Sequence, residues 1–267
     1  MLIAWKRPFV RPSLPLVVLL LAAAPALAES GNRHVDGFRA AKTLLRVLYA
    51  EHPYTLYSGC AFTPARQVDY AACSYQPHKP GGRAARIEWE HVVPAEAFGR
   101  SDPAWREGHA SCSEHGRFFR GRRCASRASP SFRRMEGDLY NLVPEIGELN
   151  QRRSNRPMAE RLAGEGEALA GIGGTLGKRS FTPRDAVKGD VARTYLYMNE
   201  AYPEARLLSE QKSQLFGAWS ARDPVDAWEC RRASRIEAMQ GNENRFVKGP
   251  CVAARLWPPA ATYSKQD

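Results

Sequence analysis

The sequence has 267 residues and a formal net charge of +11, from 39 lysines and arginines against 28 aspartates and glutamates. This positive charge favours a polyanionic partner, nucleic acid above all, although a solvated basic loop would give the same composition. After the N-terminal apolar run, no stretch is apolar enough to cross a bilayer, which argues against an integral membrane protein. No Ser/Gly-rich linker and no repeat divides the chain, so we expect one domain over residues 29–267.

The first 28 residues have the pattern of a secretory signal peptide. Lys6, Arg7 and Arg11 make a basic start, and the apolar run from Leu14 to Ala28 ends in Ala-Leu-Ala. That run is short for a membrane span, which makes an uncleaved anchor the weaker alternative. We therefore predict a signal peptide over residues 1–28 and a mature protein that is periplasmic or secreted, with no membrane attachment after cleavage.

The N-terminal half of the mature chain combines a helix with short strands. Apolar residues recur at helical spacing from His34 to Tyr49. A strand is predicted over about residues 84–93, and Pro94 either ends it or marks it as an edge strand. Residues 99–134 are rich in glycine, serine and arginine, and this composition predicts a long loop.

The C-terminal half is predicted to be mostly helical. Pro144 suits the first turn of a helix, and Asp223-Pro224 suits an N-cap followed by the first helical residue. Further helices are predicted over residues 191–202, 209–220 and 223–240. The predicted class is α+β, a mostly helical single domain with a small sheet.

Six cysteines lie beyond the predicted signal peptide, and an even number in an exported protein indicates disulfides. None lies in a C-x-x-C pattern, which argues against a zinc knuckle. The sequence alone does not fix the pairing, but the cysteines fall into three local couples. We predict the disulfides Cys60–Cys73, Cys112–Cys124 and Cys230–Cys251.

Two adjacent titratable residues, Glu90 and His91, end the predicted strand in the stretch IEWEHVVPAEAF. Neighbours on a regular strand point to opposite faces, so a bend or bulge near Pro94 is expected to bring both into one cleft. A neutral imidazole can accept a proton from water near pH 7. Glu90 and Asn141, in DLYNLVP, offer oxygen ligands for a hard cation such as Mg²⁺. The alternative is that His91 has only a structural role.

Three stretches, RIEWEHVVPA, MEGDLYNLVP and IGELNQRRSN, resemble the endonuclease I family, and the resemblance extends from about Cys60 to Cys251. It implies a small sheet that carries a ββα-metal (His-Me finger) motif in a disulfide-stabilised fold. It also implies that His91 is the general base and that Glu90 and Asn141 bind Mg²⁺, with Ca²⁺ or Mn²⁺ as alternatives. The expected activity is non-specific endonucleolytic cleavage of DNA and RNA to 5′-phosphate products by a monomer.

The sequence departs from the family pattern where an arginine commonly precedes the cysteine after the first motif. This chain has Gly-His-Ala-Ser before Cys112. The role of that arginine, to stabilise the phosphate, could pass to several residues, and the sequence leaves the choice open. The candidates are Arg117, Arg120, Arg122, Arg123 and, more weakly, His109.

Three further residues match the family pattern, and each has an expected role. Arg153 is expected to bind phosphate. Glu136 and Asp138 are expected to accept hydrogen bonds and orient the site without binding the metal.

The missing arginine also leaves an alternative from another class, an exported nucleic-acid-binding protein whose nuclease site has decayed. A purely structural disulfide-rich protein would leave Glu90 and His91 unexplained.

Overall fold

The computed structural model describes Met1, residues 31–160 and residues 166–257. Residues 2–28 of the predicted signal peptide lie outside the described residues. In the described part the helices predominate and the strands are short and antiparallel, so the predicted α+β class is confirmed. No helix in the described part is long and apolar enough to cross a membrane.

Ten α-helices occur in the described residues. They are α1 (Gly37–Leu48), α2 (Ala95–Gly99), α3 (Pro103–Arg106), α4 (Arg122–Ala128), α5 (Pro130–Glu136), α6 (Gly147–Arg153), α7 (Lys188–Ala201), α8 (Glu210–Arg222), α9 (Ala227–Gln240) and α10 (Arg245–Ala253). Side chains of the residues before α8 and α10, Ser209 and Asn244, accept hydrogen bonds from backbone N–H groups of the first turns. These caps satisfy donors that the helices themselves cannot pair.

The last predicted helix begins later than expected. Asp226, not Asp223, is the N-cap of α9, and its carboxylate accepts from the backbone N–H of Glu229 at 2.7 Å. Asp223 lies at the end of α8 and accepts instead from the N–H of Gly189, at 2.7 Å. Both aspartates are equally suited by residue type to cap a helix. The contact of Asp223 with Gly189 of α7 leaves Asp226 as the N-cap of α9.

The region of residues 99–134, predicted to be a loop, contains α3, α4 and most of α5. Asp102 and Ser129 cap α3 and α5, and a proline follows each of them as the first helical residue. This pairing of cap and proline is a helix-start signal that the arginine-rich composition obscures. The prediction of a loop was therefore wrong.

Nine short strands in the described residues form four antiparallel sheets. The strands are β1 (Ala61–Phe62), β2 (Val68–Asp69), β3 (Ile87–His91), β4 (Ser113–Glu114), β5 (Arg117–Phe118), β6 (Leu142–Ile146), β7 (Gly166–Ala168), β8 (Gly174–Gly177) and β9 (Phe181–Pro183). In these sheets β1 pairs with β2, β3 with β6, β4 with β5, and β8 with both β7 and β9.

The pair β3–β6 positions the candidate site. Its register runs from Ile87 opposite Ile146 to His91 opposite Leu142 without a bulge. Pro144 lies within β6, so the prediction that it opens a helix was wrong. Each strand has only one neighbour in the described sheet, and an edge strand tolerates a proline. Helix α6 follows β6 at once and packs on both strands.

Asp138 ties the strand pair to the C-terminal helices. It is fully buried, and its Oδ2 accepts from the hydroxyl groups of Tyr197 and Tyr202, both at 2.7 Å. Its Oδ1 accepts from the backbone N–H of Tyr140 at 2.9 Å and from Gln240 Nε2 at 3.1 Å. Four donors compensate the loss of hydration of this carboxylate, which matches its expected role as an acceptor.

All three predicted disulfides are present, and no described cysteine is free. The paired Cα atoms lie 4.8, 5.5 and 5.7 Å apart for Cys60–Cys73, Cys112–Cys124 and Cys230–Cys251. The Cys112–Cys124 bond closes the segment that contains the β4–β5 hairpin and the start of α4. Such short closed loops reduce the freedom of the unfolded chain.

Candidate active site

A cavity of about 390 Å³ lies at the end of β3. Its lining includes Glu90 and His91 together with Glu88, Arg122 and Asn150. Because β3 ends at His91 and α2 begins at Ala95, the chain turns sharply at this point. Both Glu90 and His91 therefore reach one cavity, as expected. The turn after His91 brings them together, because the pairing of β3 with β6 contains no bulge.

His91 is held in a single orientation. Its Nε2 lies 2.9 Å from the backbone carbonyl oxygen of Glu136, and its ring lies 4.9 Å from the ring of Phe38, centroid to centroid. A carbonyl oxygen can only accept, so in the neutral ring Nε2 carries the proton and Nδ1 keeps the lone pair. Burial lowers the pKa of His91 to about 3, and the charge of Arg122 acts in the same direction. The imidazole is therefore a neutral acceptor at pH 7.

Glu90 is 5% exposed and is paired with Arg153, which is fully buried. Arg153 Nη1 donates to Glu90 Oε1 at 2.7 Å and to the carbonyl oxygen of His91 at 2.8 Å. Arg153 Nη2 donates to the carbonyl oxygen of Val92 at 2.8 Å. Burial raises the pKa of Glu90, and the neighbouring Arg153 guanidinium opposes that rise.

The prediction that Arg153 binds phosphate was wrong. None of its side-chain surface is exposed, and its terminal donors are used by Glu90 and by the backbone at the end of β3. Arg153 instead fixes the position of the Glu90 carboxylate. The sequence motif showed that an arginine was needed here but not that it would be buried.

Asn141 does not reach the cavity. It is fully buried, its Oδ1 accepts from the N–H of Val93 at 2.7 Å, and its Nδ2 donates to the carbonyl oxygen of Val93 at 3.0 Å. Both ends of the amide are therefore used to hold the turn after β3. The assignment of Asn141 as a metal ligand is contradicted by this geometry.

Asn150 lies where Asn141 was expected. It is on α6, three residues before Arg153, and it lines the cavity together with Glu90. Its Nδ2 lies 3.4 Å from Glu88 Oε2, and its Oδ1 accepts no hydrogen bond from the described residues. Helical spacing in the sequence could have identified Asn150, because a residue three positions before Arg153 shares a helix face with it.

Arg122 is the one of the five candidates for the missing arginine that lines this cavity. Its Nε donates to Glu136 Oε1 at 2.6 Å, and its guanidinium carbon lies 5.2 Å from the centroid of the Phe38 ring. Ser126 Oγ donates to the other oxygen of Glu136 at 2.8 Å. Arg122 is thus held from one side, and its terminal nitrogens donate to none of the described residues.

The other candidates have different environments. Arg123 pairs with Glu114, and the exposed His109 contacts Ser111 through its Nδ1, at 2.9 Å from the hydroxyl oxygen. Arg117 and Arg120 are exposed and lie outside the cavity lining. The fold therefore selects Arg122 from a group that the sequence could not resolve.

Comparison with known families shows which family the chain belongs to. A family model described as Endonuclease I matches residues 39–251. The chain belongs to the endonuclease I family. As a member of this family it is an endonuclease, a hydrolase of phosphodiester bonds, and its substrate is nucleic acid.

Similar proteins of this endonuclease I family cover most of the chain. An extracellular deoxyribonuclease of Aeromonas hydrophila is 38% identical over 90% of this chain and 99% of the relative. A periplasmic deoxyribonuclease of the same species is 38% identical over 90% of this chain and 95% of the relative. An endonuclease-1 of Buchnera aphidicola is 33% identical over 82% and 84%. The protein is periplasmic or secreted.

The oxygen atoms in the cavity fit a hard divalent cation. Asn150 Oδ1 accepts no hydrogen bond from the described residues, the Glu90 carboxylate has a second oxygen besides the one that binds Arg153, and both residues line the cavity. The described residues contain no cluster of three or more His, Cys, Asp or Glu side chains suited to a metal. One carboxylate and one amide oxygen, completed by water and phosphate, are typical of a Mg²⁺ site.

The two asparagines are expected to differ in their effect on stability. Asn141→Ala leaves the buried N–H and C=O of Val93 without partners, so it should lower the free energy of unfolding by about 2–5 kcal/mol. Asn150→Ala removes one long hydrogen bond from a half-buried side chain and should cost less than about 1 kcal/mol. Chemical denaturation of the two variants measures both values. Equal losses of unfolding free energy in the two variants would contradict the different roles of Asn141 and Asn150.

Proposed function

We propose that this protein is an exported, Mg²⁺-dependent, non-specific endonuclease that cleaves DNA and RNA and leaves 5′-phosphates. One observation carries the proposal: a neutral His91 with a free Nδ1 shares a cavity with oxygen atoms of Glu90 and Asn150 and with the Arg122 guanidinium. A base, a cation site and a phosphate-binding group are what in-line attack of water on a phosphodiester needs.

His91 would accept the proton of the attacking water at Nδ1. The hydrogen bond from Nε2 to the Glu136 carbonyl oxygen holds the ring in the tautomer that leaves Nδ1 free. That carbonyl also stabilises the imidazolium that forms when Nδ1 gains the proton. Water serves as the nucleophile, so the sugar 2′-hydroxyl plays no part in the reaction. This independence from the 2′-hydroxyl supports activity on both DNA and RNA.

Glu90 and Asn150 would hold the cation, which stabilises charge on the phosphate and on the departing 3′ oxygen when bound. Departure of the 3′ oxygen leaves the phosphate on the 5′ end of the downstream fragment. Arg153 keeps the Glu90 carboxylate in place through Oε1, so that Oε2 stays available. The same site accepts Ca²⁺ or Mn²⁺ by ligand type.

Arg122 would bind the non-bridging phosphate oxygens as they gain charge. Glu136 binds its Nε, and the planar guanidinium then presents its remaining N–H groups in a fixed orientation. The alternative of a binding protein with a decayed nuclease site was based on the missing family arginine. A guanidinium supplied by Arg122 removes that basis.

His91→Ala should lower the cleavage rate by roughly 10² to 10⁴-fold, because the water then has no base in the cavity. His109→Ala is the matched control, since His109 is exposed and outside the cavity lining, and it should retain activity. A plasmid-nicking time course in Mg²⁺ gives both rates. Normal cleavage by the His91 variant would refute its role as base.

EDTA should abolish cleavage by the unaltered protein, and Asn150→Ala should raise the Mg²⁺ concentration for half-maximal activity by about 10-fold or more. Asn150→Asp keeps an oxygen ligand and adds charge, so its requirement should stay near that of the unaltered protein. Titration of nicking activity with Mg²⁺ compares the three proteins. Cleavage that persists in EDTA would exclude a cation in the reaction.

Arg122→Ala should lower kcat by about 10² to 10³-fold, as expected for loss of one group that stabilises the transition state. Arg122→Lys keeps the charge but lacks the planar guanidinium, so its kcat should lie between those of the unaltered protein and Arg122→Ala. The control is Arg120→Ala, which removes an arginine two residues away that lies outside the cavity lining, and it should leave kcat nearly unchanged. If both alanine variants lose the same activity, the effect is general electrostatics and Arg122 has no special role.

A further inference from the structure

A second cavity, of about 330 Å³, lies beside the catalytic cavity. The two cavities share three lining residues, Phe38, Glu88 and Trp89. The remaining lining of the second cavity consists of Lys42, Arg66 and Arg86. We call this surface of Lys42, Arg66 and Arg86 the basic groove. Nothing in the reaction described above uses these three cations.

Two parts of the fold bring the cations together. Lys42 lies one helical turn after Phe38 on α1, and its Nζ is 4.9 Å from the centroid of the Phe38 ring. Gln67 forms an antiparallel bridge with Arg86, and the carbonyl oxygen of Arg66 accepts from the N–H of Ile87 at 2.9 Å. Backbone pairing therefore places Arg66 and Arg86 side by side at the start of β3.

The groove carries more positive charge than its own carboxylate can balance. Glu88 is the one acidic residue in the lining, and it already binds Arg83. Arg86 Nη2 lies 3.8 Å from Glu88 Oε1, and its side chain is 51% exposed. Lys42 and Arg66 form no salt bridge with the described residues. Like charges that line one cavity repel one another unless an anion lies between them.

We propose that the basic groove binds backbone phosphates of the nucleic acid strand on one side of the scissile bond. The proposal rests on the proposed function, because it names where that substrate lies. Phe38 lines both cavities and its ring contacts His91, so a strand that leaves the catalytic cavity across Phe38 meets Lys42 and then the two arginines. The groove offers positive charge to backbone phosphates, and phosphate contacts carry no sequence information, which suits cleavage without sequence preference.

The test measures DNA binding in the variant Lys42→Gln/Arg66→Gln/Arg86→Gln. Both this variant and its parent also carry His91→Ala, and EDTA is present, so the duplex stays intact. The slope of log affinity against log salt should become shallower by roughly 2 to 3, because about three phosphate contacts are lost. Fluorescence anisotropy with a short labelled duplex over a series of salt concentrations gives the slope. Thermal melting shows whether each protein is folded.

The matched control is Lys178→Gln/Arg179→Gln/Arg231→Gln, which removes the same charge from exposed residues outside both cavities. It should keep the slope of the parent. A groove variant that keeps this slope, or a control that loses as much, overturns the proposal. The single variant Lys42→Gln, on the surface of α1, gives a slope change of about 1 and replaces the triple variant if that one does not fold.

Binding and cleavage give separate answers. Absence of nicking by the unaltered protein would refute the proposed function but would leave the slope comparison valid. Nicking by the unaltered protein, together with an unchanged slope for the groove variant, would refute only the groove.

Discussion

The buried ion pair between Arg153 and Glu90 is the constraint on which the site depends. A guanidinium removed from water is costly unless a carboxylate and several acceptors surround it. Arg153 meets that condition with Glu90 and with the carbonyl oxygens of His91 and Val92. These contacts join the last turn of α6 to the end of β3. The position of the strand end relative to the helix is thereby fixed before any substrate arrives.

Glu136 provides a second constraint from the opposite side. Its backbone carbonyl oxygen sets the tautomer of His91, and its side chain holds Arg122. One residue at the end of α5 therefore orients both the base and the phosphate-binding group. Ser126 and Phe38 support this arrangement, the first by a hydrogen bond to Glu136 and the second by ring contacts with both functional side chains. A small displacement of α5 would disturb both groups together.

Local patterns in the sequence were sufficient for the class of fold, the disulfides, and the candidate pair Glu90 and His91. They were insufficient wherever a distant contact decides the role of a side chain. Asn141 and Asn150 both lie in suitable motifs, but Val93, 48 residues before Asn141, uses both ends of the Asn141 amide. Both ends of the Asn141 amide are thus engaged by a partner that sequence spacing does not reveal.

The same limit explains why the sequence left the choice of arginine open and why the prediction for Pro144 was wrong. Arg122 and Arg123 are neighbours of equal propensity, and the direction of α4 decides which of them faces the cavity. Pro144 suits a helix start by its own geometry, yet pairing with β3 places it in a strand. In each case local propensity is weak, and tertiary packing outweighs it.

The three disulfides connect cysteines only 13, 12 and 21 residues apart. A chain translocated from its N terminus would expose both thiols of each bond within a short interval, before the next couple arrives. Oxidation could then keep pace with export, and each crosslink would form with the correct partner as the nearest one. Maturation of this nuclease outside the cytoplasm would require little reshuffling of mispaired bonds by an isomerase.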